Sequence, residues 1–201
     1  MTKIKICGLK RVQDIEVANE LDLNFVGFVF AKSKRQVTKE QARLLKSKLR
    51  DSIQAVGIFV NHDIIEILDL LSEQIIDVVQ FHGQETEDDI KRIKEEFPWV
   101  KVIKAVSVTS EFDILKWEDS IVDYLLLDHG TGGTGKSFDW KVLDKLDGFK
   151  KPFFIAGGLG LENVKEVLLY QPFGVDVSGG VETDGIKDEN KMKRFVEEVR
   201  A

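Results

Sequence analysis

Eight short apolar runs recur along the chain, each separated from the next by a stretch of helical periodicity: Ile4 to Cys7, Phe25 to Phe30, Ala55 to Val60, Val78 to His82, Val100 to Val106, Tyr124 to Asp128, Phe153 to Gly157 and Phe173 to Ser178. Most are apolar at consecutive positions, the signature of strands buried on both faces in a parallel sheet covered by helices. Their C-terminal ends carry Cys7-Gly8, Ser33 and Arg35, Asn61, His82-Gly83, Ser107, Asp128 with a glycine-rich loop, Gly157-Gly158, and Ser178-Gly179-Gly180. Their N-terminal ends, such as Leu21 to Asn24, Asp51-Ser52 and Tyr170 to Pro172, show nothing comparable. Reacting groups in parallel α/β folds sit where strands hand over to helices, so this asymmetry predicts an enzyme with one active face.

The intervening segments read as amphipathic helices. Val12, Ile15, Ala18 and Leu21 share a face, as do Ile64, Leu68 and Leu71, then Ile90, Ile93 and Phe97, and finally Met192, Phe195, Val196 and Val199. Thr38-x-x-Gln41 and Ser110-x-x-Asp113 match the capping box that opens a helix. Strand and helix thus alternate eight times, with short connections and no proline-rich or low-complexity linker. The pattern predicts a single (β/α)8 TIM barrel over residues 1–201, one catalytic domain whose site is built from short loops. A doubly wound open sheet is the alternative, but its edge strands would alternate in polarity.

Composition narrows the function classes. A net charge of −6 provides no general counterion-release drive toward nucleic acid, although Lys32, Lys34 and Arg35 could meet one small anion. The longest apolar run, Phe25 to Ala31, is too short to span a bilayer, and the first ten residues lack a signal peptide's continuous apolar segment. The expected compartment is the cytoplasm. One cysteine excludes an intrachain disulfide, and three scattered histidines lack metal-site spacing.

Each candidate residue has two readings. Cys7 is a small buried hydrophobe, or a base or nucleophile whose pKa a nearby helix N-terminus lowers. Asp128 is a turn or cap residue, or an acid at a strand end. Gly130 to Ser137 matches the phosphate-cradling pattern G-x-x-x-x-G-K-[ST]. Yet no second strand offers an apolar run ending in aspartate to hold magnesium opposite Ser137, and eight units do not suit a P-loop sheet, so Gly132, Gly133, Thr134 and Gly135 read as a lid. Gly157-Gly158 and Ser178-Gly179-Gly180 follow the seventh and eighth runs, where barrels bind phosphate through backbone N–H groups and a helix N-terminus. His82 is a substrate contact or a capped loop residue. Arg35 is a solvated charge or a bidentate clamp for a substrate carboxylate. Asp176 is a weaker candidate carboxylate.

The ordered set Lys5-Ile-Cys-Gly8, Phe30 to Arg35, Gln80-Phe-His-Gly83, Gly132 to Lys136 with Phe138-Asp-Trp140, Ala156-Gly-Gly-Leu159 with Asn163, and Val175-Asp-Val-Ser178 leading to Gly180-Val-Glu182 resembles the phosphoribosylanthranilate isomerase family over essentially the whole chain. The resemblance implies an Amadori rearrangement in tryptophan biosynthesis, without cofactor or metal, on a small phosphorylated substrate, by a monomer or homodimer. It implies Asp128 as general acid and Cys7 as general base, and the acid role requires a carboxyl whose pKa partial burial raises. Arg35 would hold the anthranilate carboxylate, His82 and Asp176 would contact substrate, and Gly157, Gly158, Ser178, Gly179 and Gly180 would cradle the phosphate. The family commonly has serine where Gly179 stands. The alternatives are another sugar-phosphate isomerase or epimerase barrel, and a barrel that binds a phosphorylated ligand without chemistry.

Overall fold

The computed structural model describes residues 1–129 and 137–201. Eight parallel strands close into a barrel in chain order: β1 Lys3–Cys7, β2 Phe25–Val29, β3 Gln54–Phe59, β4 Val78–Phe81, β5 Lys101–Ser107, β6 Tyr124–Asp128, β7 Phe153–Ile155 and β8 Gly174–Val177. Closure is made by β1 against β8, with Lys3 opposite Gly174 and Lys5 opposite Asp176. The expected barrel is therefore observed, and the strands fall within two or three residues of the apolar runs.

Because alternate side chains of a strand point to opposite faces, the core has two compartments. Outward residues such as Ile6, Phe28, Phe81 and Leu127 pack against α1 Val12–Glu20, α2 Lys39–Lys46, α3 Ile64–Ser72, α4 Glu87–Glu96 and the C-terminal helix. Inward residues Phe25, Val29, Val56, Ile58, Val78, Ile103, Leu126, Phe154 and Ala156 fill the barrel. The bottom of the barrel is an aromatic plug. Phe25 meets Phe154 edge-on at 5.5 Å, and Tyr124 stacks on Phe173 at 4.7 Å. Toward the C-terminal end the inward positions turn polar: Lys5 and Cys7 on β1, Gln80 and His82 along β4, Asp128 on β6, and Asp176 and Ser178 on β8.

The helical caps follow the sequence. Thr38 Oγ1 accepts the Gln41 N–H at 3.2 Å while Gln41 Oε1 accepts the Thr38 N–H at 2.9 Å. Asp113 accepts the Ser110 N–H at 2.9 Å. All four residues of the last predicted stripe are buried in α7 Glu189–Arg200. The eightfold alternation is less regular than expected, however. α5 Glu111–Leu115 and α6 Val164–Leu168 are each five residues long, and the helical segment described after β6 is a 3₁₀ helix, Trp140–Lys145. Between β8 and α7 lies an unpredicted hairpin, β9 Glu182–Thr183 against β10 Ile186–Lys187. Its turn is Asp184-Gly185 with φ of 52° and 75°, the left-handed pair that a two-residue hairpin loop favours.

Candidate active site

A cavity of about 520 Å³ opens at the C-terminal end of the barrel, a volume suited to a small ligand. Every candidate residue outside the lid lines it: Cys7, Arg35, His82, Asp128, Gly157, Gly158, Asp176, Ser178, Gly179 and Gly180. The lid candidates Gly132, Gly133, Thr134 and Gly135 lie outside the described residues. Ser137 precedes the 3₁₀ helix, whose cap is Asp139 accepting the Lys141 N–H, so it does not open a helix as a P-loop serine would.

Cys7 ends β1, and Ser178 Oγ donates to its carbonyl at 2.9 Å, tying the ends of β1 and β8 together. A Cβ on Gly27 of β2 would lie 3.0 Å from Cys7 Sγ, so the glycine makes room for the thiol. Burial pushes the thiol pKa up, with Lys5 the leading opposing charge. This corrects the expectation that a helix N-terminus lowers it. α1 begins at Val12, and Asp14 accepts the N–H groups of Lys10 and Arg11 at that helix start.

Asp128 is 7% exposed, and its Oδ1 accepts the His129 N–H at 2.7 Å. Its Oδ2 lies 3.6 Å from His82 Nε2, beyond a good hydrogen bond. Burial raises the pKa of Asp128 and lowers that of His82, so desolvation favours a neutral acid facing a neutral imidazole. The raised Asp128 pKa agrees with the expectation for a proton donor.

The cradle has two arms. After β7, Gly157 and Gly158 take φ of 79° and 62°, and Asn163 fixes the loop by donating to Gly158 O and accepting the Gly160 N–H, each at 2.9 Å. After β8, Ser178 leads into a short 3₁₀ turn, Gly179–Val181, instead of a full helix. A Cβ on Gly180 would lie 2.0 Å from Leu159 O, so the two arms touch backbone to backbone.

The chain matches the family model for N-(5'phosphoribosyl)anthranilate (PRA) isomerase over residues 4–198. It belongs to the phosphoribosylanthranilate isomerase family. The N-(5'-phosphoribosyl)anthranilate isomerase of Clostridium acetobutylicum is 48% identical over 206 residues, covering 100% of this chain and 98% of the relative. The crystal structure of the Thermotoga maritima phosphoribosyl anthranilate isomerase superposes with a TM-score of 0.89 at 35% identity, over 100% of this chain and 99% of that one. A family structure in complex with reduced 1-(o-carboxyphenylamino)-1-deoxyribulose 5-phosphate gives 0.85 at 36% identity, covering 100% and 99%.

Two side chains of the hairpin shape the site although the sequence assigns neither a role: Glu182, which stands there only as part of a motif, and Lys187. Glu182 grips Arg35 through Nε and Nη2, each at 2.7 Å, so the guanidinium is held by an ion pair while remaining partly exposed at the cavity. Lys187 is buried; its Nζ donates to Glu182 Oε1 at 2.6 Å and to Ser178 O at 2.9 Å. Between these cations the Glu182 pKa falls to about 2 although burial opposes it, while burial lowers that of Lys187 despite its partner. The two shifts pull in opposite senses for one contact. The carboxylate, gripped from both sides, is the member whose charge the geometry fixes. The Asp184-Gly185 turn was the available signal for this hairpin. Gly179, the departure from the family's serine, has room for a side chain: its Cβ would meet Arg35 Nη2 at 3.5 Å, an ordinary contact. Among the described residues no group of three His, Cys, Asp or Glu side chains is placed to hold a metal ion, and no helix is long and apolar enough to cross a membrane.

Proposed function

We propose that the chain converts N-(5'-phosphoribosyl)anthranilate to 1-(o-carboxyphenylamino)-1-deoxyribulose 5-phosphate, the Amadori rearrangement of tryptophan biosynthesis, in the cytoplasm, with Asp128 as general acid and Cys7 as general base. The observation that carries the assignment is the pairing of a buried carboxyl of raised pKa with a strand-end thiol on one cavity. Asp128 protonates the furanose ring oxygen, the C1'–O bond breaks, and the anthranilate nitrogen supplies the electron pair that makes the Schiff base. Cys7 then removes the C2' proton, and the resulting enolamine tautomerises to the ketone. A raised thiol pKa reduces the thiolate fraction but makes the thiolate that forms a stronger base.

The glycine arms and the backbone at Ser178 present N–H groups to the phosphate, while the Ser178 hydroxyl stays on the Cys7 carbonyl and His82 and Asp176 flank the ribose. Arg35 takes the substrate carboxylate on its Nη1 side, because Glu182 holds the Nε side. Adding phosphoribosylanthranilate and following the decay of anthranilate fluorescence tests the reading. Turnover is expected in the native protein, with kcat lowered at least about 10²-fold in Cys7→Ala and in Asp128→Asn. Native-rate turnover in Cys7→Ala would remove the thiol from the mechanism.

A further inference from the structure

Lys5 is fully buried inside the barrel and has no place in the mechanism so far. Its Nζ lies 3.0 Å from Asp176 Oδ1, but the approach is poorly directed: neither atom completes a hydrogen bond among the described residues. A buried ammonium without a well-aimed acceptor is costly, and apolar side chains of similar volume commonly replace buried ion pairs without loss of stability. Stability therefore gives no reason for a lysine here. Chemistry does, because Lys5 and Cys7 are two residues apart on β1 and project to the same face.

We propose that Lys5 is a positioning residue for Cys7: its ammonium, steered by Asp176 across the β1–β8 seam, is the counter-ion that holds the thiolate in place for proton transfer. The inference rests on Cys7 as the base. When the thiolate takes the C2' proton it becomes a neutral thiol, Lys5 keeps its own proton, and Asp176 remains as the balancing carboxylate. The groups facing the thiol are Lys5 on its own strand, Asp176 from β8, Lys187 from β10 and Arg35 from the loop after β2. Lys187 spends its donors on Glu182 and Ser178, and Arg35 is held by Glu182 with its Nη1 left for the substrate carboxylate, whereas Lys5 Nζ completes no hydrogen bond among the described residues. Lys5 stays protonated, its pKa raised by Asp176 and Cys7 against the burial that opposes it.

The chain's one cysteine makes the test clean, since iodoacetamide alkylation followed against pH reports Cys7 alone. Lys5→Met should move the alkylation midpoint up by about one pH unit or more, a roughly tenfold slower reaction at fixed pH below it, and Asp176→Asn should move it down. The basic limb of kcat against pH should follow in both variants. Unchanged midpoints in the two folded variants would overturn the proposal. If Lys5→Met does not fold, a downward shift in Asp176→Asn supports the coupling and its absence overturns it. Midpoints that shift while the kcat limb stays fixed would leave the ion coupling standing and overturn Cys7 as the base.

Discussion

Gly180→Ala is the substitution whose consequence the geometry states most directly. The added Cβ would lie 2.0 Å from Leu159 O and 2.9 Å from Gly160 Cα, and both obstacles are backbone atoms. No rotamer change relieves the clash, so the loop after β7 must move away from the turn after β8. Overpacking costs about 1–3 kcal/mol, and rigid obstacles put this case near the upper end. Unfolding entropy of roughly 2.1 cal/mol/K per residue gives about 0.42 kcal/mol/K for this 201-residue chain, so about 3 kcal/mol lowers Tm by ~7 °C. Separating the arms also spoils the phosphate cradle, and KM should rise roughly tenfold, about 1.4 kcal/mol of binding. Gly179→Ala is the internal control: its Cβ would meet Arg35 Nη2 at 3.5 Å, so Tm should change little. Thermal melts and steady-state kinetics of the two variants check this. A native Tm and KM in Gly180→Ala, or an equal loss in Gly179→Ala, would refute the argument.

Arg35→Ala should raise KM with a smaller effect on kcat, since the guanidinium contacts substrate before and during the reaction alike; an unchanged KM in steady-state assays would remove Arg35 from the site. Asp128→Asn should melt higher than the native protein near neutral pH. A carboxyl whose folded pKa is raised contributes stability that is present below its unfolded pKa and lost as pH rises through the folded one, and the amide has no such loss. Glu182 has the opposite sign. Its pKa falls from 4.5 to about 2, so its contribution is present above 4.5 and lost as pH drops through that window, and Glu182→Gln should flatten the acid side of a Tm-against-pH curve. Gly179→Ser should fold with native Tm and lower KM if its hydroxyl reaches the phosphate; an increased KM would show that the backbone N–H alone suits this position.

The barrel was legible because its strands are apolar on both faces, a pattern that only a two-sided core explains, and the site because polar residues at strand ends interrupt that pattern. Cys7, His82, Asp128 and Ser178 each stand where an inward position meets the cavity. Shielding was less visible. A thiol close to a helix in sequence reads as activated, but the distance from Cys7 to Val12 and the Asp14 cap leave burial to set its pKa. Lys5 drew no role from the sequence, since its meaning depends on Asp176, a partner 171 positions away brought into register by closure of the barrel.

Arg35 shows how a missing partner changes the chemistry inferred from a correct residue. Taken alone it is a fork for a substrate carboxylate, but Glu182 occupies one edge of that fork and is itself held by Lys187. With Lys187 protonated the triad carries two positive charges and one negative, which leaves a net positive charge beside Ser178 and Gly179. A substrate with an anion at each end can therefore meet the cation cluster with its carboxylate and the glycine arms with its phosphate. Glu182 keeps the guanidinium fixed between those encounters, which reduces the side-chain entropy lost on binding. The hairpin that carries Glu182 and Lys187 is thus part of the site, although its sequence contains none of the strand-end pattern that marked the rest.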